Sequence, residues 1–284
     1  MTARGNRPGD DTDLAYCLDL IRHGDRDRYL VALFAPAAAR AALTALFALN
    51  CELAKTVHVV SEPMLGQIRL QWWRESVDGI FAGAPRRHAV IQPLAAAVAR
   101  FGLPRAPFDA MIDARERDLD PAPFAGVEDL AGYCAATEGP LLTLGRAATG
   151  QVPAAIGADA GAGVAAGYGI ARLLCELAQN RRAGPLAVPA DVAARHGLPA
   201  TALRTGAPGD VRLAAAVAEL APEAARRLAG PAGGRVDRMH ATLARARLRR
   251  LKKAGYDPYD ATVAAAGPGD SWRLLFALLR PGRR

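Results

Sequence analysis

Helical segments follow one another through this chain with no strand-like stretch between them, and that succession limits what it can fold into. Residues 35–60, "APAAARAALTALFALNCELAKTVHVV", set the pattern: alanine and leucine recur at helical spacing, and proline stands where a helix begins. Alternating apolar and polar runs joined by Asn-Gly or Asp-Gly turns are missing. β-Branched residues are scarce and only 6% of the chain is aromatic, a mixture that favours helix over sheet. Hydrophobic residues make up 51%, ample material for a core. The expectation is an all-α protein.

Proline and glycine punctuation places the elements. A polar leader, residues 1–12, precedes short helices in "DLAYCLDLIRHG" and "DRDRYLVALFAP". A long helix runs from Pro36 to about His58. In the next segment Ser61 can cap, Pro63 can take the first turn, and Gly83 marks the exit. Further helices are expected near 87–101, 105–119, 126–150, 160–182, 209–229 and 235–254, with a short one in "DSWRLLFALL". None of the connectors is long enough to separate domains, so residues 13–284 read as one helical domain.

Cys17, Cys51, Cys134 and Cys175 form no CxxC motif and sit among Leu and Ala, as inert thiols of a reducing compartment do. The N-terminus lacks the apolar stretch of a secretory signal, and no uncharged run approaches the ~18 residues of a membrane span. The expected location is the cytoplasm, or the periphery of the inner membrane. A net charge of +8 favours anionic partners. Ten basic residues and one acid, Asp237, fall between Arg226 and Lys253. On a helical wheel Leu243, Leu248 and Leu251 share an arc with Ala244, and Arg245, Arg249, Lys252 and Lys253 gather opposite. Arg247 intrudes on the apolar side. This helix reads either as one that lies on an anionic membrane or as an outer bundle helix with a solvated face.

In "GQIRLQWWRESVD" consecutive helical residues point about 100° apart, so Trp72 and Trp73 cannot share a face. Trp72 lines up with Leu65, Ile68 and Ile80, and Trp73 with Leu70 and Val77. Two apolar stripes predict a helix buried on both sides. Asp113, Glu116 and Asp120 lie beside Arg115 and Arg117, as in a solvated salt-bridge surface. The five histidines show no metal-ligand spacing, and no Gly-rich phosphate loop, Gly-x-Ser-x-Gly or nucleic-acid module is present.

Four segments together resemble the squalene/phytoene synthase family: "DRDRYLVALFAPAAARAALTALFALN", "IRLQWWRESVDGIFAG", "MIDARERDLDPAPFAGVEDLAGYCAATEGPL" and "YGIARLLCELAQNRRAGPLAVPADVAARHGL". The resemblance spans roughly residues 14 to 280 and implies a single large helical bundle with a central cavity, an isoprenoid synthase-like fold. In that family, head-to-head prenyl transfer ionises an allylic diphosphate. Mg²⁺ held by two Asp-x-x-x-Asp-type clusters on facing helices neutralises the departing pyrophosphate.

At the positions that match the first cluster stand Ala54 or Lys55 and His58, with Glu52 one turn early. Glu176 and Asn180 match the second. A lysine there sets positive charge where the cations belong. The resemblance therefore implies neither a confident catalytic residue nor a metal or other cofactor, and looks most like the branch that lacks full aspartate motifs. That branch includes the mitochondrial assembly factor for respiratory complex I and its bacterial relatives.

What this implies is a catalytically degenerate protein that binds an isoprenyl diphosphate or lipid-like ligand, assists a membrane respiratory complex, or both. Lys55, Arg69, Arg172, Arg181 and Arg182 are the cations for gripping a phosphate, Trp73 is an apolar wall, and Tyr133 is either an active-site hydroxyl or a core residue. The expected partners are that ligand and an anionic membrane surface or membrane-complex subunit, not nucleic acid. The alternative is an active Mg²⁺-dependent prenyltransferase with Glu52, Glu176 and Asn180 at an altered metal site.

Overall fold

The computed structural model describes residues 8–151, 161–180, 183–264, 267 and 269–279, and among them every regular element is a helix. The first seven are α1 (Pro8–Gly24), α2 (Arg26–Phe34), α3 (Ala37–Val59), α4 (Pro63–Phe81), α5 (Ile91–Phe101), α6 (Ala106–Ala114) and α7 (Val127–Ala148). Then come α8 (Ala162–Cys175), α9 (Leu177–Asn180), α10 (Ala190–Arg195), α11 (Ala200–Thr205), α12 (Val211–Arg227), α13 (Arg235–Lys253), α14 (Ala261–Ala264) and α15 (Asp270–Leu279). The long helices fall where periodicity and punctuation place them. The first does not: α1 opens at Pro8, inside the stretch read as a leader, with a proline whose missing N–H is unused in a first turn.

Two helices carry the centre. Helix α3 packs against α1, α2, α4, α5 and α7, and buries Leu43 through Asn50 without a break. By length and composition it could cross a membrane, but 72% of its apolar window is buried inside the bundle. Helix α8 lies between α7, α12 and α13 and is buried continuously from Val164 to Ala171.

Small residues make that depth attainable. A Cβ at Gly167 would stand 2.8 Å from the Ala224 carbonyl oxygen, and one at Gly169 would stand 2.6 Å from Cys134 Cβ, so α12 and α7 approach bare backbone. Helix α8 ends at Cys175, and Glu176 turns the chain into the four-residue α9, where the sequence suggested one helix through 182.

After α6 the chain tightens into a 3-10 turn, Arg115–Leu119, which carries Arg115 and Asp118 inward. Asp113 and Glu116 stay outside and share Arg74. The four cysteines are free. Burial pushes the thiols of Cys17 and Cys51 up to about 12, and that of Cys175 up to about 11.

Candidate functional site

The space between α3 and α8 is where the two aspartate-motif positions face each other. Ala54, Val57 and His58 of α3 line it opposite Gly169, Arg172 and Leu173 of α8 and Glu176 just past its end, and Asn180 of α9 joins them. Helix α7 adds Tyr133, Cys134, Thr137 and Glu138, and the 3-10 turn adds Arg115 and Asp118. Of the residues read at the two motifs, Ala54, His58, Glu176 and Asn180 share this lining. Lys55 is half exposed, does not line the cavity, and lies 3.9 Å from Glu52. Arg181 and Arg182 lie outside the described residues.

The cavity is small, ≈ 80 Å³. That is about the share of two or three waters, far below the ~300 Å³ at which small-molecule pockets begin. Charged side chains fill the rest of the centre. Asp25 caps α2 by accepting from the Arg28 N–H at 3.1 Å, and its carboxylate also takes the Arg28 guanidinium and, at 3.0 Å, Arg172 Nη1. Arg28, fully buried, reaches on to Glu138 of α7. Arg172 donates through Nε to Glu176 at 2.9 Å. Arg247, the basic residue that seemed to spoil the apolar side of α13, is buried there on purpose of geometry: its Nε meets Asp27 at 2.6 Å and its Nη2 lies 3.7 Å from Glu176. Arg115 donates to Asp118 at 3.1 Å and to Asn50 of α3 at 3.1 Å.

These pairings fix the charge states. Burial works against ionised Glu138, yet Arg28, Arg172 and Arg115 hold its carboxyl below the ordinary range. Burial likewise opposes ionised Asp25, and Arg172 and Arg28 overcome it. Burial disfavours charged Arg172 as well, but Asp25 and Glu176 raise its pKa well above the usual guanidinium value. Burial first, and Asp118 second, push the Tyr133 phenol far upward, so it stays a neutral donor to Asp118. Its hydroxyl is satisfied in the core. The arrangement joins α2, α3, α7, α8 and α13 through guanidinium–carboxylate and amide contacts, with no carboxylate left as a free base.

The same pairings test the Mg²⁺ that the resemblance brings to mind. Magnesium requires carboxylate oxygens at about 2.1 Å in octahedral array. Glu176 faces two guanidiniums, Glu138 faces Arg28 and Arg172, Asp118 faces Arg115, and Glu52 accepts from Arg69 at 2.7 Å. Like charges 4 Å apart repel by about 4 kcal/mol per unit pair even at an effective dielectric of 20. Among the described residues, no group of three or more His, Cys, Asp or Glu is placed to hold a metal. The residues present do not fit the ion. Glu52 is also held away from the cavity, so the altered metal site of Glu52, Glu176 and Asn180 is not assembled.

Arg69 and Trp73 belong to a second space. A groove of ≈ 490 Å³ lies along α4, lined by Val59, Val60, Leu65, Ile68, Arg69, Trp72, Trp73 and His88. Trp73 is buried, and its ring meets that of Trp72 edge-on at 4.8 Å between centroids. The second apolar stripe is not covered as the sequence suggested: Ile68 is 62% exposed, and Met64 and Leu65 are exposed too. Periodicity marked the stripe, but among the described residues no helix covers its N-terminal end. The arginines around the tryptophans are already engaged, Arg69 by Glu52 and Arg74 by Asp113 and Glu116. The predicted phosphate-gripping cations are thus dispersed among the cavity, the groove and the surface.

Sequence reasoning missed Asp25, Asp27, Arg28, Asn50, Asp118 and Glu138, and placed Arg115 on the surface. The i, i+3 spacing of Asp25 and Arg28 was a readable local signal. The rest depend on contacts between distant helices.

Comparison with known proteins agrees with this architecture. A family profile described as squalene/phytoene synthase matches residues 21–275. Curated relatives include NADH dehydrogenase (ubiquinone) complex I, assembly factor 6 of Rattus norvegicus, 32% identical over 197 residues, covering 69% of this chain and 59% of that protein. The Bos taurus counterpart is 37% identical over 129 residues, covering 45% of this chain and 39% of that one. The matched stretch thus spans between two fifths and three fifths of those relatives. Among solved structures, a dehydrosqualene synthase in complex with ligand superposes with a TM-score of 0.78 at 18% identity, covering 95% of this chain and 96% of that one. Squalene synthase HpnC from Alicyclobacillus acidocaldarius superposes with a TM-score of 0.70 at 18% identity, covering 89% of this chain and 98% of that one. At that identity the likeness is one of fold.

Proposed function

The chain belongs to the squalene/phytoene synthase family, and from that premise we propose that it is a non-catalytic member acting in the assembly of a membrane respiratory complex, NADH dehydrogenase. The observation that carries this reading is the arginine partner beside each carboxylate at the centre. Prenyl transfer by this fold depends on cations that draw off pyrophosphate. Here guanidiniums stand in the cations' place, and they tie helices together where a substrate would lie. What remains is a rigid helical body with the family's shape, suited to holding a partner. The relatives named as complex I assembly factors support the same role. The protein works at the surface of the membrane that carries the complex.

The test has two arms. Purified protein given farnesyl diphosphate and Mg²⁺ is expected to form no longer hydrocarbon. Turnover that disappears in Glu176→Ala would overturn the non-catalytic reading. Deleting the gene is expected to lower the amount of assembled NADH dehydrogenase on a native gel, with recovery on re-expression. Unchanged complex levels would overturn the assembly role.

A further inference from the structure

Helix α15 is apolar on both sides. Leu274 is fully buried against the bundle, while Trp272, 64% exposed, and the exposed Phe276 and Leu279 project outward at i, i+4 and i+7. Beside that stripe runs a groove of ≈ 330 Å³ between α13 and α15, lined by Thr242, Arg245, Arg249, Arg273, Phe276 and Ala277. The α13 wall carries the guanidiniums of Arg245 and Arg249, and the α15 wall carries that of Arg273 beside the Phe276 ring.

The charge on this face is left unbalanced. Neither helix has an exposed acid, because Asp237 is buried against Arg146 and Asp270 is buried against Arg250. Arg249 has no ion-pair partner among the described residues, and Arg245 donates only to the Leu228 carbonyl. Arg273 lies 3.5 Å from Asp270, whose carboxylate Arg250 already holds at 2.9 Å. Partial burial, followed by the neighbouring Arg273 charge, holds the Arg249 pKa below the ordinary guanidinium value. Arg238, Lys252 and Lys253 extend the exposed basic stripe along α13.

A cationic cleft beside outward Trp, Phe and Leu matches one environment closely, the headgroup region of an anionic bilayer. There an apolar face sinks about 5–10 Å into the headgroup/acyl boundary while basic side chains stay at the level of the anionic headgroups. We propose that the α13–α15 face docks on anionic phospholipid, with Arg245, Arg249 and Arg273 on lipid phosphates and Trp272, Phe276 and Leu279 in the upper acyl region. The inference deepens the membrane-side placement above and rests on it for its setting, while its test reads lipid binding alone.

The full chain is floated with vesicles of phosphatidylcholine, with or without 30% phosphatidylglycerol, at about 100 mM salt, near the physiological range where surface charge is still felt. Binding is expected to rise at least tenfold with the anionic lipid, together with a blue shift of tryptophan emission that Trp272→Ala removes. R245E/R249E/R273E is expected to abolish binding, and W272A/F276A to weaken it several-fold, both with unchanged thermal unfolding. Equal binding to neutral vesicles, or full binding by the triple variant, overturns the proposal. So does full binding by W272A/F276A with equal affinity for a soluble polyanion such as heparin, which would mark a general anion patch. Loss of complex assembly with vesicle binding intact would bear on the assembly role and leave this surface standing.

Discussion

Arginines cluster in two places in this molecule, and the two clusters obey opposite rules. Inside, Arg28, Arg115, Arg172 and Arg247 lie among Asp25, Asp27, Asp118, Glu138 and Glu176, and each guanidinium is met by a carboxylate. Outside, along α13 and α15, Arg245 and Arg249 lack a carboxylate partner among the described residues. A buried charge has to be paired, whereas a surface charge can leave its balance to solvent or to a partner. The unpaired positive charge of α13 and α15 is therefore a property of the exterior, and it says nothing of the centre.

The sharpest way to break that contrast is to unpair the interior. Glu138→Ala leaves Arg28 buried without one of its two acids. The expected loss is about 3–5 kcal/mol, or a fall in Tm of about 10 °C. A drop of a degree or two in thermal unfolding would mean that the central network is not a structural clasp.

Acid should reach the interior next. Asp25 and Glu138 have folded pKa values held below their unfolded ones, so their contribution is complete above about pH 4 and is lost as pH falls further. His240, fully buried, is held below its ordinary value by burial and by Arg28, so the unfolded chain binds its proton first. Stability should therefore begin to decline as pH drops through about 6.5, then fall more steeply below about 4. Urea unfolding measured between pH 8 and 3.5 checks this. A flat profile would contradict the buried, paired state of these groups.

The smallest effect belongs to the outer cluster. Arg249→Ala removes a charge crowded by Arg273 and engaged in no ion pair among the described residues. Stability should change by less than about 0.5 kcal/mol. A loss as large as that of Glu138→Ala would erase the distinction between the clusters.

How much of this was legible in the sequence follows from the range of each interaction. Helix α3, read as Pro36 to His58, spans Ala37–Val59, and α13, read as 235–254, spans Arg235–Lys253, because periodicity and caps act within a few turns. Family resemblance pointed to Ala54 or Lys55 with His58, and to Glu176 with Asn180; of the first two only Ala54 lines the cavity. The partners that neutralise the centre were not. Arg28 meets Glu138 across 110 residues and Arg247 meets Asp27 across 220, and only the packed bundle brings them together. Arg115 was misplaced because a 3-10 turn rotates it away from the α-helical face its spacing suggested. The α4 stripe shows a second limit, since a pattern of apolar residues marks a face without saying whether anything covers it.

Gly167 and Gly169 also limit what α8 could be changed to carry. Its backbone lies flush against α12 and α7 there, so a side chain added at either position would have to force those helices apart. Aspartates written at Ala54 and Asn180 would stand among guanidiniums that already hold the neighbouring carboxylates. A metal site could be built into this centre only by changing several helices together.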